Sequence, residues 1–229
     1  MTFRSFDASG MVNKNKSVSA AGLNVALVAA NDQKTEAMGT PIGIVFHWTA
    51  GDYVTCYDDY HFCIAFDVKA QEPVIVRMLN WKNKGKHIWG YNTGMVGISF
   101  CAMADGVMLD STHMRAVNYP VPAACIEAAA TLAAEICAWK AIDPFGTITL
   151  DEKIVQGSSL VATGKTIDVP TILDHAYMAK KCGYFPERWD VQAYYPRLVN
   201  RAQAVYKELK GAPMPGGGKR SFFFESLLK

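Results

Sequence analysis

The run Ile42 to Ala50, IGIVFHWTA, constrains the fold more than any other part of the chain. It is almost continuously apolar, rich in Ile and Val, and bounded by Gly39-Thr40-Pro41 before and Gly51-Asp52 after. A run so short and so apolar reads as a β-strand buried on both faces. Such a strand must be covered on two sides, so the chain has to build a sheet inside layers of other elements. The polar exceptions in the run are His47 and Thr49, near its carboxyl end.

Further strands follow from the same signal. Tyr60 to Val68 (YHFCIAFDV), Pro73 to Leu79 (PVIVRML) and Met95 to Met103 (MVGISFCAM) are short, apolar and β-branched or aromatic. Val169 to Leu173 (VPTIL) predicts one more short strand, leading into Asp174-His175. Between them, Val121 to Ile142 is rich in Ala, Leu and Glu with an early Pro, which predicts a long helix. A last helix is expected from about 193 to 210. The segment Ala20 to Ala30 reads as a helix or a strand packed on the main domain. Strands and helices mix without strict alternation, so the expected fold class is α/β, a mixed central β-sheet flanked by helices.

The expected division of the chain has three parts. Residues 1–38 form an N-terminal extension packed on the domain, 39–210 the main domain, and 211–229 a linker with an amphipathic tail. An insertion at about 143–168, carrying a short hairpin, interrupts the main domain. With 229 residues, about half of them hydrophobic, the chain has enough apolar material for one good core. Its formal charge of +2 gives no basic stripe of the kind nucleic acid requires. No run is long enough to span a membrane. The start MTFRSFDASG lacks the basic and apolar regions of a secretory signal, so synthesis as a cytoplasmic protein is expected. Six cysteines are present without a CxxC pair, and Cys63, Cys101, Cys125 and Cys137 lie in apolar runs. They read as reduced, buried thiols.

The five histidines carry the chemistry. A catalytic zinc needs three protein ligands and an open position for water. His47 and His175 each follow a short apolar strand, and in open α/β sheets ligand sites lie outside the carboxyl ends of strands. Spacing alone leaves open whether they are ligands or hydrogen-bonded structural residues. No GxSxG, HExxH or phosphate-binding loop is present.

Four segments, taken in order, resemble the zinc N-acetylmuramoyl-L-alanine amidases, whose fold is shared with peptidoglycan recognition proteins and small phage lysins. GIVFHWTAG is similar to the family's first ligand strand. DDYHFCIAFD is similar to its next strand, GKHIWGYNTGMVGISF to its His…Gly-Tyr-Asn segment, and DHAYMAKKCGYFPERWD to its last ligand region. The resemblance covers roughly Ile42 to Tyr195.

This resemblance implies a hydrolase that cuts the amide between N-acetylmuramic acid and L-alanine in bacterial peptidoglycan, with Zn2+ as cofactor. His47 and His175 match two metal ligands. Asp190 matches the third, which puts Arg188 at the place of the family's catalytic lysine. Cys182 is the rival third ligand, and Lys180 would then take the catalytic place. Tyr60 matches a tyrosine beside the metal-bound water, while Ser99 stands where another branch has a glutamate. His87, Asn92 and Trp48 are expected at the substrate. His61, next to Tyr60 in a strand, would point to the opposite face and be structural, and His113 would lie on the surface. The family pattern further implies a monomeric phage or prophage lysin that reaches the cell wall after release. The alternatives are a non-catalytic peptidoglycan-binding module and an amidase of soluble muropeptides.

Overall fold

The apolar run at 42–50 forms a strand, and every residue of Gly43–Trp48 is buried. The structure is a computed structural model that describes residues 5–7, 16–18, 24–27, 36–108, 114–115, 118–182 and 195–211. Along the chain come β1 (Ser5–Asp7), β2 (Lys16–Val18), β3 (Asn24–Leu27), β4 (Gly43–Trp48), β5 (Thr55–Tyr57), β6 (Phe62–Asp67), β7 (Glu72–Arg77) and β8 (Met95–Phe100). Then follow β9 (Val107–Met108), β10 (Met114–Arg115), α1 (Ala123–Lys140), β11 (Thr147–Gln156), β12 (Ser159–Pro170), β13 (Ile172–Asp174), α2 (His175–Cys182) and α3 (Tyr195–Gly211).

Seven strands make one mixed sheet in the order β13-β4-β8-β6-β7-β3-β2. The β13–β4, β4–β8 and β8–β6 pairs are parallel, and β6–β7 is antiparallel. The mixed sheet with helices is therefore as expected. The segment read as helix or strand at 20–30 supplies β3, which joins the sheet beside β7. The N-terminal part of the chain thus contributes strands to the central sheet.

Period-two alternation sorts the side chains onto two faces. Ile44, Phe46 and Trp48 of β4 join Phe62, Ile64 and Phe66 of β6 and Val96, Ile98 and Phe100 of β8 in one large cluster. Helix α1 closes that cluster with Ala129, Leu132, Ala133 and Ile136. The many alanines let the helix axis approach the sheet closely, because little side chain stands between them. The other face is split. Cys63, Ala65, Val74 and Val76 pack with Cys56, Cys101 and Met78 on one side. Val45 and Met95 pack with Leu173 and Met178 on the other.

Three expectations change in detail. Tyr60 and His61 precede β6 in a turn rather than lying in the strand, because Asp58 and Asp59 bend the chain just before them. The stretch expected to hold a short hairpin at 143–168 is a long one, β11–β12, paired from Thr147↔Pro170 to Gln156↔Ser159. Val169 and Pro170 belong to that hairpin, so the strand expected at 169–173 is β13, starting at Ile172. Alternating Thr, Ile, Leu and Val along both arms favour β pairing over loop. The described cysteines Cys56, Cys63, Cys101, Cys125 and Cys137 are free and buried. Among the described residues no helix is long and apolar enough to cross a membrane.

Candidate active site

The parallel register of β13 and β4 sets the site. Ile172 pairs with Ile44, Leu173 with Val45 and Asp174 with Phe46. The next step along both strands reaches His175 and His47. Their rings lie 5.1 Å apart between centroids. Asp174 fixes the second of them: it is buried and its Oδ1 accepts the Tyr177 backbone N–H at 2.7 Å. That is an N-cap, so α2 starts at His175 and holds it at the strand end.

A cavity of about 160 Å³ opens here, lined by His47, Trp48, Asp59, Tyr60, Lys86, His87 and His175. Tyr60 stands beside His47, with ring centroids 5.1 Å apart. His87 lies edge-on to His47 at 5.0 Å. The sequence pointed to His47, Trp48, Tyr60, His87 and His175, and the fold brings these five to one cavity. Asp59 and Lys86 were not singled out. Their one signal is adjacency: each precedes a candidate, Tyr60 or His87, by one position.

Hydrogen bonds settle how the imidazoles are protonated. His87 Nε2 lies 3.2 Å from the Met95 carbonyl, which can only accept, so this nitrogen carries the proton. His87 Nδ1 is then an acceptor, and His47 Nε2, 3.0 Å away, donates to it. His47 is left with its lone pair on Nδ1. This is the arrangement in which a second imidazole orients a metal-ligating one and fixes its tautomer. Burial holds both rings well below the ordinary histidine pKa, with the neighbouring histidines adding to it. Burial also pulls His175 down to about 4. All three are neutral near neutrality, the state that binds metal.

His61 is structural. Its Nδ1 accepts the Gly97 backbone N–H at 3.1 Å and its Nε2 donates to the Asn83 carbonyl at 3.0 Å. Burial pulls its pKa down to about 4. Asn92 is drawn into the loop: its Oδ1 accepts the backbone N–H groups of His87 and Ile88 at 3.0 and 2.8 Å. That carbonyl holds His87 in position and is not part of the cavity lining. Ser99 pairs with His47 across β4 and β8 and is fully buried.

The phenol of Tyr60 is pushed above its usual pKa by burial, with the Cys63 thiol beside it adding to the effect. It stays protonated and can donate. Burial likewise raises the Asp59 carboxyl, reinforced by Asp58 and opposed by Lys86. Cys182 closes α2. The side chains of Lys180 and Cys182, and Arg188, Asp190 and His113 altogether, lie outside the described residues.

A family model described as N-acetylmuramoyl-L-alanine amidase matches residues 37–183, well over half of the chain. The matched span includes His47, Tyr60, His87, His175 and Cys182 and ends short of Arg188 and Asp190. No curated protein matches the chain. Among solved structures, the Staphylococcus aureus hydrolase AmiA in complex with its ligand is similar, with a TM-score of 0.50 and 16% identity over 83% of this chain and 87% of that one. At that identity the likeness bears on the fold.

Proposed function

Because the chain belongs to the N-acetylmuramoyl-L-alanine amidase family and so acts on the muramoyl–L-alanine amide of peptidoglycan, we propose that it does so with a zinc ion held by His47, His175 and one further ligand. The observation that carries this reading is the pair of neutral imidazoles at level ends of two parallel strands, with His87 turning the His47 lone pair onto Nδ1. For the third ligand we keep Asp190; the rival Cys182 is a soft donor well suited to zinc, but it closes the helix that His175 opens, and seven helical residues set the two about 10 Å apart along the axis. Arg188 then takes the cationic role, and Lys180 would take it only with Cys182 as the ligand.

Zinc, when bound, supplies a water of pKa about 7 and a Lewis acid for the lactyl carbonyl. The chain's own groups do the rest. Tyr60, held protonated, donates a hydrogen bond to the carbonyl oxygen as negative charge gathers there. Arg188 supplies a positive charge to the same oxygen in this reading. Lys86 and Asp59 give the cavity one cationic and one anionic wall, suited to a stem peptide that carries both charges. Trp48 supplies an apolar wall.

The unit 39–210 is the catalytic domain in this reading, with the β11–β12 hairpin as its insertion. The tyrosine-type motif, similar to phage lysins, supports a phage or prophage lysin that reaches the cell wall of its host on release and acts as a monomer. The test is zinc content of wild type, Cys182→Ala and Asp190→Ala, each with new L-alanine amino termini counted on purified peptidoglycan. Zinc and activity lost together in Asp190→Ala and kept in Cys182→Ala support the assignment. The reverse pattern moves the third ligand to Cys182 and the cationic role to Lys180. A metal-replete wild type that carries no zinc ends the zinc reading.

A further inference from the structure

Behind Tyr60, away from the cavity, three thiols converge. Cys56 on β5, Cys63 on β6 and Cys101 just beyond β8 place their sulfurs within 4.8 Å of one another. Cys56 and Cys101 are 3.5 Å apart, Sγ to Sγ. Cys63 Sγ donates to the Tyr57 carbonyl at 3.8 Å. All three are closed off from solvent, and their surroundings are Ala65, Val74, Val76 and Met78. Among the described residues this is the one group of three metal-ligating side chains whose donor atoms lie so close together.

The geometry points to a second metal site, in which Cys56, Cys63 and Cys101 bind a soft divalent cation such as zinc or cadmium as three thiolates. A metal about 2.3 Å from each of three sulfurs in a plane sets them about 4.0 Å apart. The sulfurs need only small rotations to reach that spacing. Thiolate sulfur selects soft cations over magnesium or calcium. A divalent ion and three thiolates leave one net negative charge in the apolar cluster. A monovalent ion would leave two, which is costlier to bury.

Each thiol releases its proton to solvent as the ion enters, so binding strengthens as pH rises. With no opening to solvent, the ion is taken up as the chain folds. Tyr60 packs against this cluster on one side and lines the catalytic cavity on the other. A filled site therefore braces the wall that carries the phenol.

The test is the full-length protein produced in cadmium-supplemented medium and purified under reducing conditions. Cadmium NMR separates a three-sulfur site from a histidine-rich one by a large downfield shift, so the result does not depend on the cavity's own metal. The expected spectrum contains a resonance in the sulfur-rich range. Cys63→Ala should lose that resonance and one cadmium per chain. X-ray absorption on the wild type should show three sulfurs around that cadmium, which decides the matter even if Cys63→Ala fails to fold. A folded wild type without a sulfur-rich resonance overturns the proposal. So does a resonance that survives in Cys63→Ala, or thiol counting that finds Cys56 and Cys101 joined as a disulfide.

Discussion

The two faces of the central sheet are built from the same strands and do different work. Under α1 and α3, alternate residues of β4, β6 and β8 merge into one unbroken apolar cluster. On the opposite face the complementary residues form two clusters, with the histidine cavity between them. Along β4 the switch occurs between neighbours: Phe46 enters the continuous core and His47 enters the cavity. Stability is concentrated where the apolar cover is complete. Chemistry is available where that cover is interrupted at the ends of parallel strands.

The comparison breaks most sharply at His175. Its replacement by Ala removes a proposed ligand from the interrupted face, so zinc and peptidoglycan cleavage should fall to background. The circular dichroism and melting profile of the metal-free protein should stay close to wild type. An active, zinc-loaded His175→Ala protein would show that the cavity works in another way. The counterpart on the covered face is Phe46→Ala. Phe46 is fully buried and stacks on Phe100 at 6.4 Å, and loss of such a side chain costs about 3–5 kcal/mol. Urea unfolding should show that loss, while activity per folded molecule at low temperature stays near wild type.

Acid should act through the interrupted face. His61 has a folded pKa of about 4 against an ordinary 6.5. Between those values the unfolded chain binds a proton that the folded chain does not. Stability is therefore complete above about pH 6.5 and drains away as pH falls toward 4. The physical cause is burial, sharpened by Gly97: its N–H already occupies Nδ1, the nitrogen that would have to be protonated. The limiting slope is about 1.4 kcal/mol per pH unit for one proton, and the whole contribution is about 3 kcal/mol. Urea midpoints measured from pH 7 to pH 4 should fall at least this steeply, because His47, His87 and His175 are held down in the same direction, and His61→Gln should reduce the slope by one proton's share. An unchanged slope in His61→Gln would assign the acid sensitivity to other groups.

The sequence shows some parts of this arrangement and hides others, for physical reasons. His47 was legible because a polar residue ending an apolar β-branched run marks a strand terminus. His175 was legible for the same reason, although its level pairing with His47 depends on the β13–β4 register. Asp59 and Lys86 were not legible, since a turn residue and a loop lysine carry no periodic signal. The tautomer chain from Met95 through His87 to His47 was hidden too, because it depends on the 85–94 loop folding back over β8. The three thiols read singly as small buried hydrophobes. Their convergence is a property of strand order, which brings β6 beside β8. The β11–β12 hairpin is longer than expected, because its length depends on pairing across two arms that each carry many polar residues. Gly157 serves the turn, and Gly164 sits with a positive φ inside β12.

A glycine makes the finest test of the two-face comparison. Gly97 lies in β8, and its missing side chain leaves the space in which the His87 ring rests. An added Cβ would stand 2.7 Å from His87 Cδ2 and 2.8 Å from Cγ, closer than atoms can approach. The ring cannot swing away freely, because its two nitrogens are bonded to Met95 and His47. Gly97→Ala should therefore cost about 1–3 kcal/mol through overpacking. Because the displaced His87 no longer orients His47, zinc affinity should also drop about 10–100-fold, the usual effect of losing such a support. Gly157→Ala is the control. It meets no atom within 4 Å, and its penalty comes only from φ of +61° at the hairpin turn. It should lower stability slightly and leave zinc affinity unchanged. Competition with a chelator on both variants separates the cases: equal zinc affinities would mean that His87 fills space beneath His47 without orienting it.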